Sequence, residues 1–276
     1  MAHPNKPIFI TDLDHTFLRT DQTISEFSAK IWNKMRQNAI LSVATARSFQ
    51  KTQTFLEKLH LEAPMILLDG TMIVTPEKKL IDIKTIDKSL GDAIVDVGLK
   101  FGIEPFIIGL KDMDLNETFL YPSKLNEHQK FVLQGYQNDP RLHYNPKNKT
   151  LEMNLKIVYF GDFQTLKPLT DELKRVFADA IECKLSPEKY SDGYFLTILH
   201  PEGDKAHALK KVLAYLGRDP SDVTVFGDSV NDIEMFKLAG TSVAVANALE
   251  EVKAVANIIL PHSNDEDGVA KYLEKL

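Results

Sequence analysis

Cysteine is nearly absent from this chain. The single Cys183 cannot close an intramolecular disulfide, and its neighbours supply no metal-ligand spacing, so a disulfide scaffold and a thiolate metal site are excluded and Cys183 reads as an ordinary structural residue. Long apolar runs are missing too. No stretch approaches membrane-spanning length, and the opening MAHPNKP lacks the apolar core of a signal peptide, so a cytoplasmic protein without a membrane partner is expected. Positive charge is in deficit: 33 Lys and Arg against 39 Asp and Glu leave a net charge of −6, which argues against a broad surface tracking nucleic-acid phosphates and leaves room only for a local basic pocket. Internal repeats and low-complexity linkers are likewise lacking. What remains, 43% hydrophobic and 26% charged residues, is the balance of a soluble globular protein. A chain of 276 residues suits one large α/β unit or two modest domains.

Short β-rich apolar runs recur along the chain: IFIT (8–11), AILSVAT (39–45), PMILLDG (64–70), VTVFGDS (223–229), TSVAVAN (241–247) and NIILP (257–261). Each reads as a strand buried on both faces, the pattern of a parallel sheet. Helical segments alternate with them. Thr23–Asn38 opens with Thr23 and Glu26 at capping-box spacing and carries Ile24, Phe27, Ile31 and Met35 on one face. Asp204–Leu216 places Ala206, Leu209, Leu213 and Leu216 at helical spacing and then meets Gly217, a C-terminal stop. Strand–helix alternation predicts a doubly wound, Rossmann-like parallel-sheet core of the α/β class. It is interrupted where EPFIIGL, LEMNLKIVYF and YFLTIL bracket candidate helices at Asp87–Phe101, Asn126–Gln137 and Asp162–Phe177. That interruption predicts an inserted α+β domain over 85–194, with the core assembled from 1–84 and 195–276.

IFITDLDHTFL (8–18) poses the chemical question: an apolar strand ends on two carboxylates one residue apart, with a threonine close behind. Asp and Thr there are also ordinary turn and capping residues. Yet polar residues fall at the carboxyl ends of other core runs as well, where open parallel sheets bind ligands: Asp12 and Asp14 after the first, Thr45 after the second, Asp69 after the third, Asp228 and Asp232 after the fourth. A phosphoryl group explains the set. Asp12 can attack phosphorus and carry a covalent acyl phosphate. Asp14 can protonate the leaving alcohol and then deprotonate water. Mg²⁺ takes oxygen ligands, for which Asp12, the Asp14 backbone carbonyl and Asp228 are a suitable shell, with Asp232 a further ligand or a group that orients one. Thr45 and the neighbouring backbone N–H groups, including that of Ala46, can hold phosphate oxygens, and Lys205 can offset their charge.

These residues resemble the motifs of the haloacid dehalogenase-like phosphatases: DLDHT the first, VATAR the second, Lys205 in GDKAHAL the third and GDSVND the fourth, in matching order. VAVANALEEVKAVAN and SNDEDGVAKYLEKL resemble the end of the Cof-type subgroup. Between Asp12 and Thr45 there is room for one helix, whereas the long stretch between Thr45 and Lys205 must house the insert, which resembles a cap of the C2B type. The resemblance implies a Mg²⁺-dependent phosphatase of a small phosphomonoester, using an aspartyl-phosphate on Asp12, with a cap that closes over the substrate and sets specificity. A phosphohexomutase on the same core is the nearest rival. A receiver module of two-component signalling also pairs a phosphorylated Asp with Thr and Lys, but it lacks such an insertion and places its acceptor later in the chain.

Three departures from the family pattern stand out: His15 and Ala46 where glycine is usual, and Asp69–Gly70 where Asn-Gly is usual. Asp69 can be a turn carboxylate or a substrate contact. Arg47 can reach a phosphate or pair with an acid, and Asn231, between Asp228 and Asp232, can hydrogen-bond phosphate. His200 and His207 flank Lys205 but read as packing residues, and Asn247, followed by Glu250, reads as a helix cap.

Overall fold

The computed structural model describes residues 6–188 and 192–276, so Met1–Asn5 of the N-terminal stretch lie outside the described residues. The chain folds as two compact units, one formed by 1–83 with 204–276 and the other by Lys84–Gly203. The second division falls later than the expected break after Tyr194, because that break would cut a strand that is fully hydrogen-bonded within the inserted unit.

The first stretch of the core runs β1 (Ile8–Thr11), α1 (Glu26–Met35), β2 (Ile40–Val43), α2 (Phe49–Leu56), β3 (Met65–Leu67), β4 (Met72–Val74) and β5 (Leu80–Ile83). The insert follows as α3 (Lys88–Lys100), β6 (Phe106–Leu110), β7 (Glu117–Tyr121), α4 (Glu127–Gln134), β8 (Leu142–Tyr144), β9 (Met153–Gly161), α5 (Phe163–Phe177), β10 (Glu182–Glu188) and β11 (Gly193–Leu199). The chain returns to the core with α6 (Lys205–Leu216), β12 (Val223–Gly227), α7 (Ile233–Leu238), β13 (Thr241–Ala244), α8 (Glu250–Lys253), β14 (Ile258–Ile259) and α9 (Gly268–Leu273).

In the core a parallel sheet has the order β14-β13-β12-β1-β2. Every residue of β1 and β2 is buried, as their unbroken apolar runs require of strands covered on both faces. From β1 the sheet grows to one side through β2 and to the other through β12, so the order reverses between β1 and β12. A crevice at the carboxyl ends of those two strands follows from that reversal. Met65–Leu67 departs from expectation: it opens an antiparallel β3-β4-β5 sheet and meets the parallel sheet through a single bridge, Ala44 to Ile66. α1 also starts later than Thr23. Ser25 is its cap, accepting from Ser28 N–H, while the Thr23 hydroxyl turns to Asp21 (2.6 Å). Asp204 and Gly217 bound α6 as expected, Gly217 in the left-handed region (φ 66°).

The inserted unit carries a six-stranded sheet ordered β10-β11-β9-β6-β7-β8. Ile94 and Val97 of α3 and Leu166, Leu169 and Leu173 of α5 share one apolar cluster with Ile157 and Tyr159 of β9 and Leu196 and Ile198 of β11. Cys183 sits in this cluster, and burial pushes its thiol up to about 12, consistent with a structural role. The buried Tyr159 hydroxyl donates to the Ile94 carbonyl at 3.0 Å, which anchors β9 to α3. Gly98 lies one helical turn on, where a Cβ would enter the Tyr159 ring. Alanine would gain about 1 kcal/mol of helix propensity there. Overpacking a ring that is fully buried and held by its hydroxyl costs roughly 1–3 kcal/mol, so the clash outweighs the propensity. Gly98→Ala is therefore expected to lower the urea midpoint of the inserted unit, and an unchanged or raised midpoint would contradict this packing.

Candidate active site

Asp12 is placed by the sheet itself. Its N–H donates to the Phe226 carbonyl at 2.9 Å, extending the β1–β12 ladder one step past Thr11. From there the chain enters a tight turn, Leu13–Phe17, in which Asp14 is extended and His15 adopts φ 55°. Histidine tolerates that conformation better than most residues. From the other half of the core, Lys205 opens α6, whose Asp204 cap accepts from Ala206 N–H (2.7 Å) and His207 N–H (2.9 Å). The His207 ring is held by the same Asp204 at 2.8 Å.

The Lys205 ammonium is fully buried and donates to Asp12 Oδ1 and Asp232 Oδ1, both at 2.7 Å. Burial alone would pull its pKa down, but the two carboxylates outweigh that and hold it charged. Asp232 is engaged through both oxygens, its Oδ2 accepting from Asp228 N–H (3.0 Å) and Ser229 N–H (3.1 Å). Gly227 makes this packing feasible, since a Cβ there would collide with the Asp232 carboxylate. Asp228 Oδ1 accepts from the Thr16 hydroxyl at 2.9 Å. Ligand atoms of Asp12, Asp228 and Asp232 all lie within 4.8 Å of one another.

Three buried carboxylates thus crowd together with one ammonium, which bonds two of them, Asp12 and Asp232. Burial first, then the charges of Asp232, Asp228 and Asp14, push the Asp12 carboxyl well above the usual carboxylate range in spite of Lys205. The excess negative charge and hard oxygen donors fit a divalent cation such as Mg²⁺.

The other candidate site residues, Arg47, Thr45, Ala46, Asp69 and Asn231, lie in the same unit. Arg47 forks onto Asp14, Nε to Oδ2 at 2.8 Å and Nη2 to Oδ1 at 2.6 Å, and also reaches Gln22 Oε1 at 3.1 Å. Of the two roles open to Arg47, pairing with an acid is the one seen here. Thr45 is buried and its Oγ1 accepts from Arg47 N–H at 3.1 Å, which holds the turn in which Ala46 is exposed. Asn231 Nδ2 donates to Asp69 Oδ1 at 2.8 Å. Asp69 lies between Leu68 and Gly70 in a run of positive φ (51°, 65° and 120°). Its N–H donates to the Thr45 carbonyl at 3.1 Å. Two features were not read from the sequence. The Thr16 contact to Asp228 had a signal in the threonine behind the paired acids. Asn247 is no helix cap: it donates to the His15 carbonyl at 2.8 Å, and α8 begins after Leu249 without a side-chain cap. His200 Nδ1 lies outside this cluster's unit and accepts from Glu202 N–H at 3.0 Å.

The raised Asp12 pKa has a sign that can be measured. Without metal, the folded protein retains a proton on Asp12 at a pH where the unfolded chain has released it, so stability falls as pH rises from the ordinary carboxylate range through the raised value. A divalent cation bound by the deprotonated cluster offsets that loss. The Mg²⁺-induced rise in Tm is therefore expected to grow with pH from acid to neutral, and a rise that is constant over that window would contradict the cluster's electrostatics.

Residues 9–273 match the family model described as haloacid dehalogenase-like hydrolase. Two phosphatases of Bacillus subtilis (strain 168), both named 5-amino-6-(5-phospho-D-ribitylamino)uracil phosphatase, align along almost their whole length. YitU is 24% identical over 98% of this chain and 97% of its own. YwtE is 27% identical over 96% of each. The crystal structure of TM0651 from Thermotoga maritima superposes with a TM-score of 0.77 at 22% identity, covering 99% of this chain and 98% of that one, and shows the same fold. No helix among the described residues is long and apolar enough to cross a membrane. With its Rossmann-like core, its inserted α+β domain and this full-length match, the chain belongs to the haloacid dehalogenase-like hydrolases and is a phosphoric monoester hydrolase.

Proposed function

We propose that the protein is a Mg²⁺-dependent phosphatase of a small phosphorylated metabolite, acting through an aspartyl-phosphate on Asp12. The observation that carries this reading is the buried Lys205 shared by Asp12 and Asp232, with Asp228 adjoining, at the carboxyl ends of β1 and β12. Asp12 and Asp228, with the Asp14 backbone carbonyl, would hold Mg²⁺, which when bound cancels the carboxylate excess and draws charge from the phosphate oxygens. Asp232 has both oxygens committed to Lys205 and to the Asp228 and Ser229 N–H groups, so it is assigned to orienting those groups.

In the first step an Asp12 oxygen forms a bond to phosphorus, the bond to the leaving alkoxide breaks, and Asp14 supplies the proton that the alkoxide takes up. Asp14 then removes a proton from water as the water oxygen displaces Asp12, releasing inorganic phosphate. Lys205 offsets charge on the transferring group, and Thr45 with the Ala46 N–H receives its oxygens. Arg47 engages both Asp14 oxygens in the free protein. An incoming phosphate offers the guanidinium a competing acceptor and so releases Asp14 for proton transfer. Asn231, held by Asp69, is assigned a further phosphate contact.

The Bacillus subtilis relatives are named for a phosphorylated ribitylamino-uracil, which together with sugar phosphates sets the first substrates to try. Phosphate release from such a panel in Mg²⁺ is expected, with kcat lowered on the order of a thousandfold or more in Asp12→Asn. Undiminished turnover in that variant would reject Asp12 as nucleophile, and an isomerised sugar phosphate in place of free phosphate would favour a mutase.

A further inference from the structure

The stretch that carries Asp14 is gripped by side chains more than two hundred positions further along the chain. Between Leu13 and Leu18 the backbone departs from regular geometry at Asp14 (φ −65°, ψ 129°) and His15 (φ 55°, ψ 9°). A non-glycine residue in the left-handed region persists where its surroundings over-determine it. Here the surroundings are two carboxamides. Asn247 Nδ2 donates to the His15 carbonyl at 2.8 Å, and Asn264 Nδ2 donates to the Leu18 carbonyl at 3.0 Å. The two are linked, because Asn264 N–H donates to Asn247 Oδ1 at 2.9 Å. That link turns the Asn247 oxygen away and leaves its NH₂ facing His15.

The next residues of the same stretch are tied to the same segment. Thr20 donates to Asp265 through its N–H and its hydroxyl, each at 2.8 Å. Arg19 forks onto Asp267, Nε to Oδ1 at 3.2 Å and Nη2 to Oδ2 at 2.8 Å, and Ser28 of α1 donates to the same carboxylate at 3.1 Å. Four successive anchoring positions, His15, Leu18, Arg19 and Thr20, therefore close on Asn247 and on the Asn264–Asp267 segment. Holding the strained turn by the carbonyl of His15 itself and by that of Leu18 at its end fixes the chain just beyond Asp14, and so sets where Asp14 stands relative to Asp12.

We propose that Asn247 and Asn264 are positioning residues for Asp14, and that the Asn264–Asp267 segment is a clamp on the catalytic turn and belongs to the active-site apparatus. The inference rests on the role given to Asp14 above. A misplacement of about 1 Å in a proton-transfer group can cost on the order of a hundredfold in rate, so a slackened turn is read in kcat before KM. The same slack moves the Asp14 carbonyl, and so reads in metal affinity.

The test compares Asn264→Ala and the less buried Asn247→Ala with Asn257→Ala. Asn257, an exposed residue beside the edge strand β14, accepts from Ser242 N–H (2.8 Å) and its hydroxyl (2.9 Å), and serves as the control for loss of an anchoring carboxamide away from this turn. Each variant is assayed with p-nitrophenyl phosphate, titrated with Mg²⁺ by calorimetry in the metal-free state, and melted. Asn264→Ala and Asn247→Ala are expected to lower kcat about tenfold or more with KM near wild type, and to weaken Mg²⁺ binding severalfold. Asn257→Ala is expected to lower Tm and leave both unchanged. Wild-type kcat and Mg²⁺ affinity in folded Asn247→Ala would overturn the proposal, even if Asn264→Ala fails to fold. Should the wild type hydrolyse no phosphomonoester, the functional reading fails while the Mg²⁺ affinities still decide whether the clamp exists.

Discussion

A lysine ammonium taken wholly out of water is the constraint around which this core is organised. An unpartnered charge at that depth is untenable, and breaking a buried pair by removing one partner costs roughly 3–5 kcal/mol. Lys205 therefore demands that Asp12, at the end of β1, and Asp232, before α7, both reach it, and each demand fixes a piece of chain. α6 must present its first turn to the carboxyl edge of the sheet. The connection after β12 must curl so that Asp232 meets both Lys205 and the Asp228 N–H, which in turn leaves no space for a side chain at position 227. The clustered carboxylates are thus assembled by the same interactions that dock the two halves of the core.

Much of this was legible in the sequence because it rests on local signals. The buried parallel strands announced themselves as unbroken apolar runs, and α6 was bounded by a capping Asp204 and a terminating Gly217. Helices of the insert began where Asp87 and Asn126 cap them, each through a side-chain bond to the backbone three residues on. Acids at successive strand ends were readable as one cluster because a parallel sheet brings its carboxyl ends to one edge. What escaped reading was set by tertiary partners. Short strands such as Met72–Val74, Leu80–Ile83 and Leu142–Tyr144 have too few residues to show a period, and pairing alone defines them. Thr23 had the capping spacing, but Asp21 captured its hydroxyl and Ser25 took the cap.

Residue roles were least legible where a side chain has two plausible partners. Arg47 and Asn247 are such cases: composition says what each can bind, and only the fold says which partner arrives. Arg47 met Asp14, and Asn247 met the His15 carbonyl in the turn after β1 instead of capping the helix after it. In the inserted unit the same holds for Arg141, which is buried over the Phe119 ring and paired with Glu117 and Asp139. Nothing in the local sequence distinguishes that arginine from an exposed one.

The Asp69–Asn231 contact carries a consequence of its own. An ionised carboxylate has lone pairs and no hydrogen, so it meets the amino end of a carboxamide and never the oxygen. An asparagine at position 69 would accept either orientation and leave Asn231 free to turn over. With aspartate there, the amide dipole of Asn231 is given one heading, and in the function proposed above an arriving oxyanion would find one hydrogen of that amino group at a set bearing, without first having to select among rotamers.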